Sequence, residues 1–212
     1  MTDSFAAGDA PLIGVLALQG DYAEHIRALE RCGARTVKVR LPSDLEPIAG
    51  LVLPGGESTT LVKLAKEWGL FEALRAKGRA GLPMFGTCAG AILLGCGDDR
   101  PERLGLVPVQ VRRNAYGRQR ESFEKSLQFA GAGDAGALLA IFIRAPKIDP
   151  PADREVAVLV RDGDDPVLLR YRTFLLATFH PELTEDLRVH RLFVAMCRTS
   201  GALRSPPTAT GR

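Results

Sequence analysis

Residues 83–94 read PMFGTCAGAILL: an apolar run, a cysteine between two glycines, and a second apolar run. Cys88 sits in Gly86-Thr87-Cys88-Ala89-Gly90, the G-x-nucleophile-x-G pattern of a strand that turns sharply into a helix. Flanking glycines allow a tight, strained turn and close packing of strand against helix. The thiol then projects at the top of a sheet, at a helix N-terminus whose dipoles favour the thiolate. The amide of Ala89 points into the same space and suits an oxyanion. On these five residues alone, a glycine-rich turn with an incidental buried cysteine stands open beside the reactive-thiol reading.

The flanking sequence makes this turn part of an α/β chain. LIGVLALQ is an almost unbroken apolar strand. In DYAEHIRALERCG after it, Tyr22, Ile26 and Leu29 share one helical face, Asp21 is placed to cap the start and Gly33 to close the end. TVKVRL and GLVLPGG are further strands. STTLVKLAKEWG is a helix with Leu61, Leu64, Ala65 and Trp68 inward and Gly69 at its end, and LPMFGT is the fourth strand. Continuous apolar strands separated by amphipathic helices predict a mainly parallel sheet covered on both faces. After about residue 104 the pattern changes. LGLVPVQVRRN, SLQFAG, ALLAIFIRAP, EVAVLVRDG, PVLLRYR and FLLATFH are strands with few helices between them, so this second part is expected to be mixed or antiparallel. A last helix, TEDLRVHRLFVAMCR, is expected to start at Thr184, with Glu185 and Asp186 in its first turn. One domain over residues 12–200 is expected, with 1–11 a loose leader and 201–212 a frayed tail.

A chain of 212 residues, 46% apolar and 25% charged, can bury a substantial core. A net charge of +3 on 28 basic and 25 acidic residues, with no basic stripe, argues against nucleic acid as a partner. MTDSFAAGDAP lacks the basic start and apolar centre of a signal peptide, and no apolar run has the length of a membrane span. A cytoplasmic protein is expected. Its four cysteines form no CxxC pair or metal pattern, so reduced thiols, no metal and no cofactor are expected.

In open α/β sheets, ligands bind beyond the carboxyl ends of the strands. LQGD, PGGEST, GTCAG and FHPE all fall at strand ends. A nucleophile needs a base, and the base an orienting group. Of three histidines, His25 and His190 lie mid-helix and read as surface or boundary residues. His180 ends an apolar strand and is followed by Pro181 and Glu182. Residues two apart in extended chain point the same way, so Glu182 can orient the His180 ring. A capped strand end is the plainer reading of His-Pro-Glu alone; with the cysteine turn it becomes a base and its orienting carboxylate. In LPGGEST, residues 53–59, Gly55 and Gly56 let backbone approach a substrate and present a second oxyanion amide, and Ser58 is placed to cap the next helix. Alone, this loop also fits a phosphate site or a simple turn, although no Gly-Lys-Ser/Thr follows as a Walker loop requires.

The stretches GVLALQGDYAEH, LVLPGGESTT, PMFGTCAGAILL, VRRNAYGRQRESFE, FIRAPKI and TFHPELTEDLR together resemble the glutaminase subunits of pyridoxal 5′-phosphate synthases, within the triad-type glutamine amidotransferases. The resemblance spans roughly residues 12–200. The cysteine turn and His-Pro-Glu are shared across the wider superfamily; PGGEST, RNAYGRQ and FIRAP are more specific. The resemblance implies a three-layer, flavodoxin-like amidotransferase fold. It implies Cys88 as nucleophile, His180 as general base and then acid, and Glu182 as its orienting group. It implies L-glutamine as substrate, bound by Gly55, Gly56, Glu57, Ser58, Arg113, Ile143 and Arg144, with Gly56 and Ala89 at the oxyanion hole. Ammonia is then expected to pass to a separate (β/α)₈-barrel synthase subunit in a large hetero-oligomer, which joins it to ribose 5-phosphate and glyceraldehyde 3-phosphate. Gln19, in LQGD, is a candidate contact for that partner or for a flipping Gly55-Gly56 peptide.

The segment GCGDDRPERLG, residues 95–105, departs from the family pattern, as do DAGALLAI and VLLRYRTF. A glutaminase subunit serving another synthase, such as that for imidazole glycerol phosphate, would carry the same triad; RNAYGRQ and FIRAP argue against it. A flavodoxin-like stress or chaperone protein with a redox cysteine on a similar turn is the reading from another class, opposed by His-Pro-Glu and the PGGEST loop.

Overall fold

The computed structural model describes residues 10–97, 101–113, 122–130 and 135–202, with residues 200–202 as backbone only. Most of the expected leader and tail, and the RNAYGRQ motif beyond Arg113, lie outside the described residues.

The N-terminal half alternates as its periodicity predicts. Strands β1 (Leu12–Leu16), β2 (Arg35–Val39), β3 (Gly50–Leu53) and β4 (Met84–Thr87) are separated by helices α1 (Tyr22–Arg31), α2 (Ser58–Glu67) and α3 (Leu70–Arg79), and α4 (Ala89–Leu94) follows β4. The second half contributes β5 (Val111–Arg112), β6 (Ser122–Phe129), β7 (Gly136–Ile143), β8 (Lys147–Ile148), β9 (Val156–Asp162), β10 (Asp165–Tyr171), β11 (Phe174–Ala177) and α5 (Arg188–Ala202). The main sheet has seven strands in the order β2-β1-β3-β4-β11-β10-β9. Its first five are mutually parallel, while β10 runs antiparallel to both β11 and β9. The expected mixed second part is therefore split: β11 returns to the parallel core beside β4, and β6 and β7 form a separate antiparallel hairpin.

Strand side chains alternate between two cores, which is why the strands read as continuous apolar runs. Leu51 and Leu53 of β3, Met84 of β4 and Leu176 of β11 pack with α2, α3 and α4. Val52, Phe85, Leu175 and Ala177 face the other way, against α1, α5 and the β6–β7 hairpin. The chain leaves β1 to one side for β2 and returns on the other side for β3. That reversal opens a crevice at the carboxyl ends of β1 and β3, next to the end of β4.

Several local expectations need correction. Trp68 is exposed rather than inward, because Gly69 adopts φ 70° and starts α3 in a new direction. Glu57, not Ser58, caps α2 by accepting from the amides of Thr59 and Thr60. Asp21 makes no side-chain cap to α1. Helix α5 starts at Arg188, not Thr184; a short 3₁₀ turn, Pro181–Leu183, intervenes, and Asp186 accepts from the Arg188 amide at 3.0 Å. Among the described residues of LGLVPVQVRRN, only Val111–Arg112 form a strand. His25 and His190, expected as surface or boundary residues, are fully buried.

Candidate active site

Cys88 lies between β4 and α4 with φ 45° and ψ −100°, a conformation that costs a non-glycine residue about 1–3 kcal/mol. The surroundings hold it there. Its amide donates to the Ala177 carbonyl of β11 at 2.9 Å, and its carbonyl accepts from the Ile92 amide at 3.1 Å. A Cβ on Gly90 would sit 1.9 Å from the Leu53 carbonyl oxygen, so only glycine lets α4 lie this close to β3. The Cys88 side chain is nearly buried, with Sγ 3.8 Å from the Ile143 carbonyl oxygen.

His180 follows β11, the strand beside β4, and its ring is brought to Cys88 by that pairing. Its Nδ1–H donates to Glu182 Oε1 at 2.8 Å. Its Nε2 is buried without a hydrogen-bond partner and is left for the thiol. Burial acts to lower the His180 pKa, but the Cys88 side chain and the Glu182 carboxylate outweigh it and raise it to about 10. Burial likewise acts to raise the Glu182 pKa; His25 and His180 overcome it and hold the carboxyl well below its usual range.

These groups close one side of a cavity of about 300 Å³, at the lower end of small-molecule pockets. Cys88, His180, Gln19, Gly56, Glu57, Ser58, Arg113, Ile143 and Arg144 line it. Gly55, Ala89 and Glu182 do not. Glu182 lies behind His180, and Gly55 packs on the ring, where a Cβ would come within 2.5 Å of His180 Cε1. Gly56, at φ +139°, packs on Gln19, whose Oε1 accepts from the Glu57 amide at 3.1 Å. Glu57 is further held by Thr59 and by Arg113 Nη2 at 3.1 Å. Although partial burial opposes it, the hydroxyl and amide donors of Thr59 and Thr60 draw its pKa down to about 2. Arg144, at φ 42°, lines the cavity and has no ion-pair partner among the described residues.

Asp21, His180 and Glu182 group three metal-ligating types. Glu182 is committed to His180 and Asp21 stands 3.7 Å off, so this is a hydrogen-bonded acid–base set. His25, His190 and Thr87 reach the same set from beneath and escaped the sequence reading. Their signal was present: residue 25 shares the apolar stripe of 22, 26 and 29, and residue 190 that of 193, 194 and 197.

A strained cysteine at a helix start, beside a His-carboxylate pair and a two-glycine loop, is an acyl-transfer geometry. The model of the SNO glutamine amidotransferase family matches residues 15–199. The chain belongs to that family. Pyridoxal 5′-phosphate synthase subunit PdxT of Pelotomaculum thermopropionicum is 52% identical over 192 residues, covering 89% of this chain and 96% of the relative. That of Parafrankia sp. (strain EAN1pec) is 51% identical over 199 residues, covering 92% and 97%. A crystal structure described as a glutamine amidotransferase superposes with a TM-score of 0.80 at 47% identity, covering 87% of this chain and 98% of that one. The expected α/β amidotransferase fold thus holds. No helix among the described residues is long and apolar enough to cross a membrane.

Proposed function

We propose that this chain is the glutaminase subunit of a pyridoxal 5′-phosphate synthase, hydrolysing L-glutamine to L-glutamate and ammonia. The observation that carries the mechanism is the strained Cys88 beside the His180–Glu182 pair, 2.8 Å apart, at the wall of the cavity. Cys88 Sγ, as the thiolate whose proton already rests on His180 Nε2, attacks the side-chain amide carbon. The C–N bond then breaks, His180 protonates the leaving nitrogen, and ammonia departs. Water, deprotonated by His180, attacks the γ-glutamyl thioester; the C–S bond breaks and glutamate leaves. Glu182 keeps the His180 proton on Nδ1 throughout and stabilises the imidazolium.

Amides of Gly56 and Ala89 are assigned to the developing oxyanion. Arg144, lacking an ion-pair partner among the described residues, offers its guanidinium to the substrate carboxylate, while Arg113 and Glu57 form a paired wall with Gly55, Ser58 and the Ile143 carbonyl nearby. The Gly55-Gly56 peptide, resting on Gln19, is the proposed switch that couples hydrolysis to the synthase subunit. That partner is a (β/α)₈ barrel in a hetero-oligomer, which consumes the ammonia with ribose 5-phosphate and glyceraldehyde 3-phosphate. Residues 12–200 act as one domain, in the cytoplasm.

The relatives named as pyridoxal 5′-phosphate synthase subunits, about half identical over nine-tenths of the chain, favour this synthase over one for imidazole glycerol phosphate. The test is glutamine-dependent pyridoxal phosphate formation on mixing with the synthase subunit, and its loss by roughly three or more orders of magnitude in Cys88→Ala. Ammonia release retained in Cys88→Ala would defeat the nucleophile assignment, and equal glutaminase rates with and without synthase would remove the switch.

A further inference from the structure

Beneath the cavity, the acid–base set continues into the core. His25 of α1 is fully buried, with Nε2 3.0 Å from Thr87 Oγ1 and 3.4 Å from Glu182 Oε2. Its Nδ1 is 3.0 Å from Nε2 of His190, itself fully buried on α5. The Phe85 ring packs in T-shaped contact with both imidazoles. Two imidazoles in tandem behind a carboxylate are costly to bury unless their polar atoms are matched.

The proton positions follow from that matching. Burial, with His25 alongside, lowers the His190 pKa to about 3, so its ring is neutral. Its Nδ1 is buried with no partner. A proton there would be an orphaned buried N–H, the rarer and costlier defect; an empty lone pair is tolerated better. The His190 proton therefore lies on Nε2 and is donated to His25 Nδ1. Accepting at Nδ1, His25 carries its own proton at Nε2, hydrogen-bonded to Thr87 Oγ1 at 3.0 Å, with Glu182 Oε2 3.4 Å from the same nitrogen. Glu182 Oε2 has no hydrogen-bond partner at standard geometry, and His25 Nε2 approaches it at 3.4 Å.

We propose that His25 is a positioning residue: its Nε2–H holds Glu182 Oε2, so that Oε1 stays aligned on His180, while His190 sets the His25 tautomer. Three elements distant in sequence, α1, β4 and α5, thereby lock a carboxylate carried on a short 3₁₀ turn. The inference rests on the glutaminase reading, and its test separates the two. Glutamine hydrolysis is measured in the complex with the synthase subunit for wild type, Cys88→Ala, His25→Leu, His25→Gln and His25→Asn. Glutamine places its amide nitrogen near the imidazole Nε2 position; asparagine reaches only the Nδ1 position. His25→Leu and His25→Asn are expected to lose about 10–100-fold in kcat, the cost of loosened catalytic alignment, with KM within about twofold of wild type. His25→Gln is expected to recover most of that loss. Should His25→Leu fail to fold, the contrast between His25→Gln and His25→Asn, both polar, carries the test. Equal kcat in those two, or wild-type kcat in a folded His25→Leu while Cys88→Ala is inactive, overturns this inference and leaves the glutaminase reading standing. A wild-type complex that releases no ammonia removes both.

Discussion

Glu182→Gln is nearly isosteric, yet it is expected to disable the site. Two N–H groups face the carboxylate: His180 Nδ1–H at 2.8 Å from Oε1, and His25 Nε2 at 3.4 Å from Oε2. A carboxylate accepts from both; an amide has one oxygen and one NH₂. If the oxygen faces His180, the NH₂ abuts the His25 N–H. If the NH₂ faces His180, the ring must take its proton at Nε2, and it can no longer accept one from Cys88. Loss of the negative charge also removes one of the two groups that hold the His180 pKa near 10. In a serine-protease triad the corresponding acid-to-amide change costs about 10⁴-fold through the wrong tautomer, and about 10³–10⁴-fold in kcat is expected here. That equals about 4–5.5 kcal/mol on the barrier. The assay is steady-state ammonia release by the complex, with KM for glutamine determined alongside and the His180 ring followed by NMR across pH. A kcat within tenfold of wild type, with the His180 pKa unmoved, would refute the reasoning.

Gly90→Ala drives a Cβ to 1.9 Å from the Leu53 carbonyl oxygen, which is backbone and cannot rotate away. A loss of about 1–3 kcal/mol is expected, seen as a melting temperature lower by about 2–4 °C per kcal/mol; an unchanged melt would contradict the close packing. Arg113→Ala removes the 3.1 Å partner of Glu57 at the cavity wall and is expected to raise KM for glutamine about tenfold with little change in kcat, read from the same ammonia assay. Because the His180 pKa is raised on folding, from 6.5 to about 10, its contribution to stability is full below pH 6.5 and is lost as pH rises through 10. Urea midpoints should therefore fall more between those limits in wild type than in His180→Asn; parallel curves would count against the ion pair.

The architecture was largely legible because the strands are buried on both faces and the helices on one. LIGVLALQ and GLVLPGG read as interior strands, and the glycines around Cys88 mark the turn. Errors arose where local signals compete. Ser58 and Glu57 are both able to cap α2; the longer carboxylate wins because it reaches two amides, at Thr59 and Thr60, and also meets Arg113. Thr184 looked like the start of α5, but the chain must first turn after His180 to place Glu182 behind the ring, and the helix waits for Asp186.

The buried histidines were misread for a more general reason. An imidazole on an apolar stripe is ambiguous by periodicity, and its partners lie far away in sequence: His25 meets His190 across 165 positions and Thr87 across 62. Only the register of β4 against β11 puts Thr87 level with Ala177 and carries His180 and Glu182 over α1. The strain at Cys88 depends on the same register, since the Ala177 carbonyl that pairs with Thr87's strand also accepts from the Cys88 amide. One strand pairing thus fixes the nucleophile's backbone and the carboxylate's inner support together. A substitution that shifts β11 along β4 should disturb both at once, whereas a change at His25 should leave the Cys88 turn intact and alter only the alignment of Glu182.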